Sequence, residues 1–406
     1  MSGRTYDVAI TGGGLAGSTL GGVLARAGRN VVIVERERHF RDRIRAEFTW
    51  PWGCAEIERL GLSSVFESID ALPMERMDEY LDGAYNRTIA IEPRPGVTYQ
   101  HAALQEALLS WARDQGAEVI QPARALRFKP DARPEIRIDR DGTEEAIVAR
   151  LVVAATGRES GARTWTGGES VIDPEHHRFG GVLIEGANFP DGSLLLGQSS
   201  PEQALLFSLG HGFARLYLRT FDDILQETGL ARSFDVMLEY VRSWFTPEVL
   251  ADARQAGPLG FFPNSNTWAT KLTAPGIALI GDVAGSADPS GGHGTSLVFR
   301  DVRTLSDLLL GSEDWDMALE TFAGERHAYF EVIRARDHWY GEVAAGRGPE
   351  GEERRARQAN ARELDPTLGG FGAIEFLGPD GLTPDEEHRR IYFGEHISPD
   401  GLVTRS

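Results

Sequence analysis

The sequence predicts an α/β fold, a Rossmann-type dinucleotide-binding domain with an antiparallel-sheet domain inserted into it. Three observations carry this. A glycine-rich turn, Gly12-Gly13-Gly14-Leu15-Ala16-Gly17, lies between an apolar run and a helix of small residues. Short β-type runs recur between residues 177 and 219. A second buried run, Gly276–Ile280, appears far downstream and leads into a glycine-bearing loop and another helix.

Taken in order, Tyr6–Thr11 (YDVAIT) reads as a strand, Ser18–Ala27 as a helix and Asn30–Val34 (NVVIV) as a second strand ending at Glu35. Strand, turn, helix and strand within about 30 residues form a βαβ unit. Gln100–Gly116 carries Leu104, Ala107, Leu108 and Trp111 at helical spacing. Ala117–Arg127 and Glu135–Ile138 read as short strands, and Arg150–Ala155 as a buried one. The runs Gly181–Ile184, Ser193–Leu196, Ala204–Leu209 and Phe213–Leu218 suggest the antiparallel sheet. Helices are expected over Ser233–Ala253 and Gly294–Leu309. The nucleotide-binding domain is therefore assigned to residues 1–75, 98–165 and 270–345, and the substrate-binding sheet to 76–97 and 166–269. The charged, Gly- and Pro-bearing stretch 346–406 reads as a C-terminal surface extension.

At 406 residues the chain can bury two sizeable cores. Lys plus Arg total 42 against 61 Asp plus Glu, and the resulting charge of −19 disfavours a nucleic-acid partner. Cys54 is the only cysteine, so an intrachain disulfide and a cysteine-built metal site are excluded. His176-His177 reads as an exposed loop pair, and no metal is expected. With no signal peptide and no apolar run of membrane-spanning length, a cytoplasmic protein without a membrane span is expected.

Each residue of the first motif has a physical task. Gly12 permits a tight turn, Gly14 lets the backbone approach a pyrophosphate, and Gly17 lets helix and strand pack closely. The first N–H groups of the helix, at Leu15 and Ala16, then face the anion with the helix dipole behind them. Glu35 ends the second strand where a carboxylate accepts hydrogen bonds from an adenosine ribose. This much fits FAD and NAD equally.

The second motif separates them. Gly281-Asp282-Val283-Ala284, followed by Pro289, Gly292, Gly294 and Asp301, resembles the second flavin motif of the para-hydroxybenzoate hydroxylase-like FAD monooxygenases, with Val283 in place of an alanine. A buried strand would deliver Asp282 to a ribityl hydroxyl. Gly292 and Gly294 would bare backbone N–H groups at a helix start, where they stabilise negative charge on a reduced flavin. A third segment, Thr156-Gly157-Arg158-Glu159-Ser160-Gly161-Ala162-Arg163, resembles the family's DGxxSxxR, with Thr156 replacing the aspartate. That replacement puts direct reduction by NADH or NADPH in doubt.

The resemblance implies a glutathione-reductase-type Rossmann FAD-binding domain. It places Leu15, Ala16, Arg36, Arg45, Gln105, Ala125, Thr156, Gly157 and Thr295 at the cofactor. For Arg45 the alternative is a solvated arginine in a basic run, and for Gln105 a surface helix residue. It implies a monooxygenase in which a flavin C4a-hydroperoxide hydroxylates or epoxidises an aromatic or polyketide-like small molecule, with O2 as co-substrate. NADH or NADPH would supply electrons, directly or through a separate flavin reductase. The flavin performs the chemistry, so no triad or paired-carboxylate site is needed. Pro289 and His293 are the candidate catalytic residues. His293 could donate to the oxygenated flavin or to substrate, or be a helix-start histidine with no chemical duty. Trp50, Phe207, Tyr217 and Phe262 are candidates for the substrate wall, with core packing as the alternative, and Arg215 could share their face. A two-component oxygenase is favoured by Thr156. A halogenase is disfavoured because Lys129 and Lys271, the only lysines, lie in no comparable setting, and a reductase or dehydrogenase and a non-enzymatic FAD-binding protein are the remaining alternatives.

Overall fold

The computed structural model describes residues 5–130, 133–158, 160–365 and 372–397, so Glu159, the start of the first assigned segment and parts of the assigned C-terminal extension lie outside the described residues. A parallel sheet forms the first layer. Its strands run in the order Ile277–Leu279, Thr143–Ala154, Thr5–Thr11, Val31–Val34 and Glu118–Ile120, with antiparallel additions at Thr273–Ala274, Arg124–Lys129 and Glu135–Arg140. Thr11 stands opposite both Ala154 and Val34, which brings the carboxyl ends of three strands to one edge. Parallel strands covered on both faces read as continuous apolar runs, and Val31–Val34 is buried at every position.

Helices Leu15–Arg26 and Gly294–Gly311 cover one face of this sheet, with His101–Asp114 packed on the first of them. Gly21 and Gly22 allow the close approach. A Cβ on Gly22 would meet the Trp111 ring at 2.1 Å. Each fully buried Val, Leu or Ile in this core contributes roughly 1.5–3 kcal/mol.

The inserted sheet has seven strands, ordered Arg254–Asn264, His177–Glu185, Phe213–Thr220, Glu202–Gly210, Ser193–Ser199, Arg76–Leu81 and Ala84–Ala90. Its pairings are antiparallel except one: Ser193–Ser199 runs parallel to Arg76–Leu81. The exception follows from connectivity, because residues 76–90 form a hairpin that enters from the earlier part of the chain.

The sequence reading needs three corrections. The helix expected over 233–253 ends at Arg242, where Trp244 and Phe245 turn into the core of the inserted domain and Pro247 cannot continue a helical ladder. The stretch after 346 is not simply a surface excursion. Gly348–Leu364 is a helix on the end of the long helix Trp315–Ala344, and Ala373–Leu377 buries Ile374 and Glu375 against the helix Pro51–Arg59. His176-His177 is not an exposed pair, since the side chain of His177 is fully buried.

Candidate active site

The carboxyl edge of the parallel sheet and one face of the inserted sheet enclose a continuous cavity of about 2140 Å³. Gly12 has φ of +98° and a Cβ there would sit 2.4 Å from the Ala155 carbonyl oxygen, so only glycine makes this turn. A Cβ on Gly17 would lie 1.9 Å from the Gly12 oxygen, so Gly17 serves packing and does not line the cavity. The helix beginning at Leu15 carries no side-chain cap, which leaves its first N–H groups open toward the cavity. Buried Glu35 accepts from Gly13 N at 2.6 Å and from Glu37 N at 2.7 Å. A carboxylate has further lone pairs for a hydroxyl.

The downstream motif reaches the same cavity. Asp301, fully buried, accepts from Gly281 N at 2.8 Å and pairs with Arg326, fixing the turn that carries Asp282. Arg45 Nη1 lies 3.9 Å from Asp282 Oδ2, and both side chains are partly exposed to the cavity. Gly292 has φ of +69°, and a Cβ on it would crowd Trp50 Nε1 at 3.1 Å. Trp50 Nε1 donates to the Gly291 oxygen at 2.9 Å. The helix Gly294–Gly311 again lacks a side-chain cap, giving a second open N-terminus on the cavity.

Arg163 joins two of the segments. Its Nη2 donates to the Asp282 oxygen at 2.7 Å, its Nε to the Val283 oxygen at 3.0 Å and its Nη1 to Ser170 Oγ at 2.9 Å. Burial lowers its pKa, and Asp282 opposes that shift. Thr156 donates to Ser160 Oγ at 2.6 Å, so its hydroxyl is spent on the loop's own structure.

The inserted sheet grips the segment that carries Arg45. Arg215 is fully buried, with Nε donating to Glu47 Oε2 at 2.6 Å and Nη2 to Asp42 Oδ1 at 2.6 Å. Tyr217 donates to the Arg45 carbonyl, and burial raises its pKa well above the ordinary tyrosine value, so the phenol stays neutral. The reading of Arg215 as a substrate-facing residue is therefore corrected: it lines no part of the cavity.

Gly12, Gly14, Leu15, Ala16, Glu35, Arg36, Arg45, Gln105, Ala125, Thr156, Gly157, Asp282, Gly292, Gly294 and Thr295 all line the one cavity. So do Pro289, Trp50, Phe207, Tyr217 and Phe262. His293 does not. It is fully buried, its Nδ1 accepts from Trp52 Nε1 at 3.3 Å, and burial holds its pKa well below the ordinary value. With Nδ1 accepting, the ring proton sits on Nε2, which is buried without a partner among the described residues, and because the side chain does not line the cavity its candidacy as a catalytic donor is corrected.

Sequence reasoning missed a polar cluster under the Pro289 loop. The donor atoms of His176, His177 and Asp288 lie within 4.8 Å of one another. His177 Nε2 is 2.8 Å from Ser290 Oγ, and Asn264 Nδ2 donates to Asp288 Oδ1 at 2.6 Å. Burial pushes the His177 pKa down to about 2. Also missed were Arg336 and Tyr340 of the long helix and Arg355 and Gln358 of the next, all on the cavity wall. The paired charges Glu350–Arg354 and Glu353–Arg357 signalled a helix there, though not that it closes a cavity.

Residues 5–334 match the family described as FAD binding domain, and the chain belongs to that family. Among individual proteins, it is 27% identical over 367 residues to squalene epoxidase erg1 of Aspergillus fumigatus, covering 80% of this chain and 73% of that one. Squalene epoxidases and monooxygenases of Arabidopsis thaliana, Panax ginseng and Mus musculus match at 22–25% identity, and the matches span only 54–61% of their length. The fold resembles p-nitrophenol 4-monooxygenase PnpA from Pseudomonas putida (TM-score 0.78, 16% identity, 94% of this chain and 100% of that one). It also resembles aklavinone-11 hydroxylase in complex with FAD and aklavinone (TM-score 0.71, 20% identity, 85% of this chain and 70% of that one).

Proposed function

We propose that this protein is a FAD-dependent monooxygenase that transfers one oxygen atom from O2 to a small organic molecule, by hydroxylation or epoxidation. The observation that carries this reading is the single cavity onto which two uncapped helix N-termini, a ribose-type carboxylate and an aromatic wall all open. The residues present fit FAD. Gly12, Gly14, Leu15, Ala16 and Gln105 would take the pyrophosphate. Glu35, Arg36 and Ala125 would take the adenosine, and Arg45 and Asp282 the ribityl chain. The backbone of Gly292, Gly294 and Thr295 would face the flavin, with Thr156 and Gly157 beside it. When bound, FAD supplies the redox and oxygen-activating chemistry. The chain's own work is to place the substrate against Trp50, Phe207, Tyr217 and Phe262, to hold donors at the N-terminus of Gly294–Gly311 for negative charge on the cofactor, and to exclude water. Pro289 fixes the loop that presents those donors.

Electron supply admits two readings. NADH or NADPH reduces the bound FAD directly, or a separate reductase delivers reduced FAD. Thr156 favours the second, because its hydroxyl is committed to Ser160 and no carboxylate stands at that position. The test is anaerobic: the FAD-loaded protein is mixed with NADH or NADPH and the oxidised-flavin absorbance is followed. Persistence of the absorbance until a flavin reductase is added is the expected result. Rapid bleaching by the nucleotide alone overturns the two-component reading.

A further inference from the structure

The inserted sheet presents one face to the cavity, and along the paired strands Glu202–Gly210 and Phe213–Thr220 that face changes character. At one end Phe207 stacks on Phe48 beside the Gly292 loop, with ring centroids 6.0 Å apart. Two residues further back along the strand comes Leu205, opposite Tyr217. Two more bring Gln203, opposite Arg219. Side chains at alternate positions share a face, and over four residues, roughly 13 Å at about 3.3 Å per residue, it runs from Phe207, whose opposite number Arg215 is already spent on Glu47 and Asp42, past Leu205 and Tyr217 to the cation of Arg219.

The cationic end is unusual in its electrostatics. Arg219 is 4% exposed, and all its hydrogen bonds among the described residues go to neutral oxygens. Nη1 donates to the Tyr340 hydroxyl at 2.7 Å, and Nη2 to the carbonyls of Pro201 at 3.1 Å and Ala344 at 3.2 Å. Its buried Nε has no partner. Arg355 likewise donates to carbonyls, those of Gly346 at 2.5 Å and Val343 at 3.3 Å. Burial lowers the Arg355 pKa, Glu352 opposes that shift, and the neighbouring Arg219 guanidinium adds to it. Three other arginines of this region are paired with an acid: Arg336 with Glu375 at 3.2 Å, Arg347 with Asp223 at 2.7 Å and Arg357 with Glu353 at 2.7 Å. Glu352 is the acid that acts on half-buried Arg355, but among the described residues neither arginine has a carboxylate within 4.0 Å, and a cation as buried as Arg219 is costly to leave so unless an anion completes the site. Both side chains also cap the last carbonyls of the helix Trp315–Ala344. That dipole is worth about half a charge and does not neutralise two.

Resting on the monooxygenase reading above, we infer that the substrate is an elongated apolar molecule with one acidic end, a carboxylate or a phosphate ester. Arg219 and Arg355 bind that end, and the apolar body lies along Leu205 and Phe207 toward the Gly292 loop. The anion sets direction: it fixes which end of the molecule reaches the cofactor and which carbon is offered for oxygen transfer. Tyr340, already bonded to Arg219 and to Gln203 Oε1 at 2.5 Å, holds the arginine in place.

The test uses full-length protein loaded with FAD and three matched probes, dodecanoate, dodecyl phosphate and 1-dodecanol, with binding followed by titration calorimetry. At least one of the acids binds roughly tenfold or more tightly than the alcohol, as a buried charge-assisted hydrogen bond gives. The better of the two identifies carboxylate or phosphate as the preferred group. In Arg355→Gln and Arg219→Gln the preference collapses while the alcohol binds as before. Because Arg219 also ties two loops, Arg355→Gln carries the test if Arg219→Gln fails to fold. Equal binding of acids and alcohol, no binding of any probe, or a preference that survives Arg355→Gln overturns the proposal and leaves the two arginines as helix caps. Binding is read without turnover, so an acid preference in a protein that oxygenates nothing would refute the function and leave the anion site standing.

Discussion

At the residue scale, the site depends on groups whose protonation the fold has fixed. His177 and His293 are buried and neutral, their pKa values depressed mainly by loss of solvation. Unfolding returns each to an ordinary value near 6.5, so below that pH the unfolded chain binds more protons than the folded one. Stability then falls as pH falls, by about 1.4 kcal/mol per pH unit for each histidine that remains neutral in the fold. Asp337 acts in the opposite sense, because burial and the nearby Asp288 raise its pKa and let the folded state keep a proton. The histidine contribution is therefore isolated by comparison. Denaturant unfolding of the wild type and His293→Gln between pH 7 and 5 should show a shallower loss of stability on acidification in the variant. Identical slopes would mean that His293 titrates normally in the folded protein. Sequence inspection placed His293 beside the cofactor from its chain position, but a lone histidine between two glycines does not reveal which way its ring turns. That direction is set by Trp52, a partner 241 residues away.

At the scale of elements, the turn Gly12–Gly17, Glu35 and the loop 281–294 were legible because each performs its task through backbone geometry or chain position. A glycine whose absent Cβ leaves room for a carbonyl is written into the sequence. The strand runs Ser193–Leu196 and Ala204–Leu209 were legible as short leucine-rich apolar stretches. What joins the elements was not. Arg163 was visible as a motif residue, but its donation to the carbonyls of Asp282 and Val283, about 120 residues on, is a tertiary fact. Arg163→Met should remove these charge-assisted bonds and leave the carbonyls buried without partners, at a cost of about 2–4 kcal/mol. The checks are thermal unfolding and the FAD content of the purified protein. A lower melting temperature together with weaker FAD retention is expected, whereas loss of stability with FAD affinity unchanged would confine Arg163 to a structural role.

At the scale of the whole molecule, the chain is organised by one cavity between two sheets, closed by helices that composition alone assigned to the surface. Gly348–Leu364 is almost entirely polar, and only its small buried positions Gly351 and Ala361 mark the side that packs. A charged helix that lines a polar pocket cannot be told by composition from one that faces solvent, and this is why the far end of the cavity was missed. No described helix is long and apolar enough to cross a membrane. The proposed activity is transfer of one atom of O2 to a substrate held in this cavity, with FAD supplying the redox chemistry when bound. The direct measurement supplies FAD, a flavin reductase with NADH, and isotopically labelled 18O2 to the protein with a panel of aromatic and aliphatic acids, and weighs the products by mass spectrometry. One labelled oxygen atom in the product of a turned-over acid is the predicted result. A product changed only by two hydrogens, or carrying oxygen from water, would contradict the account.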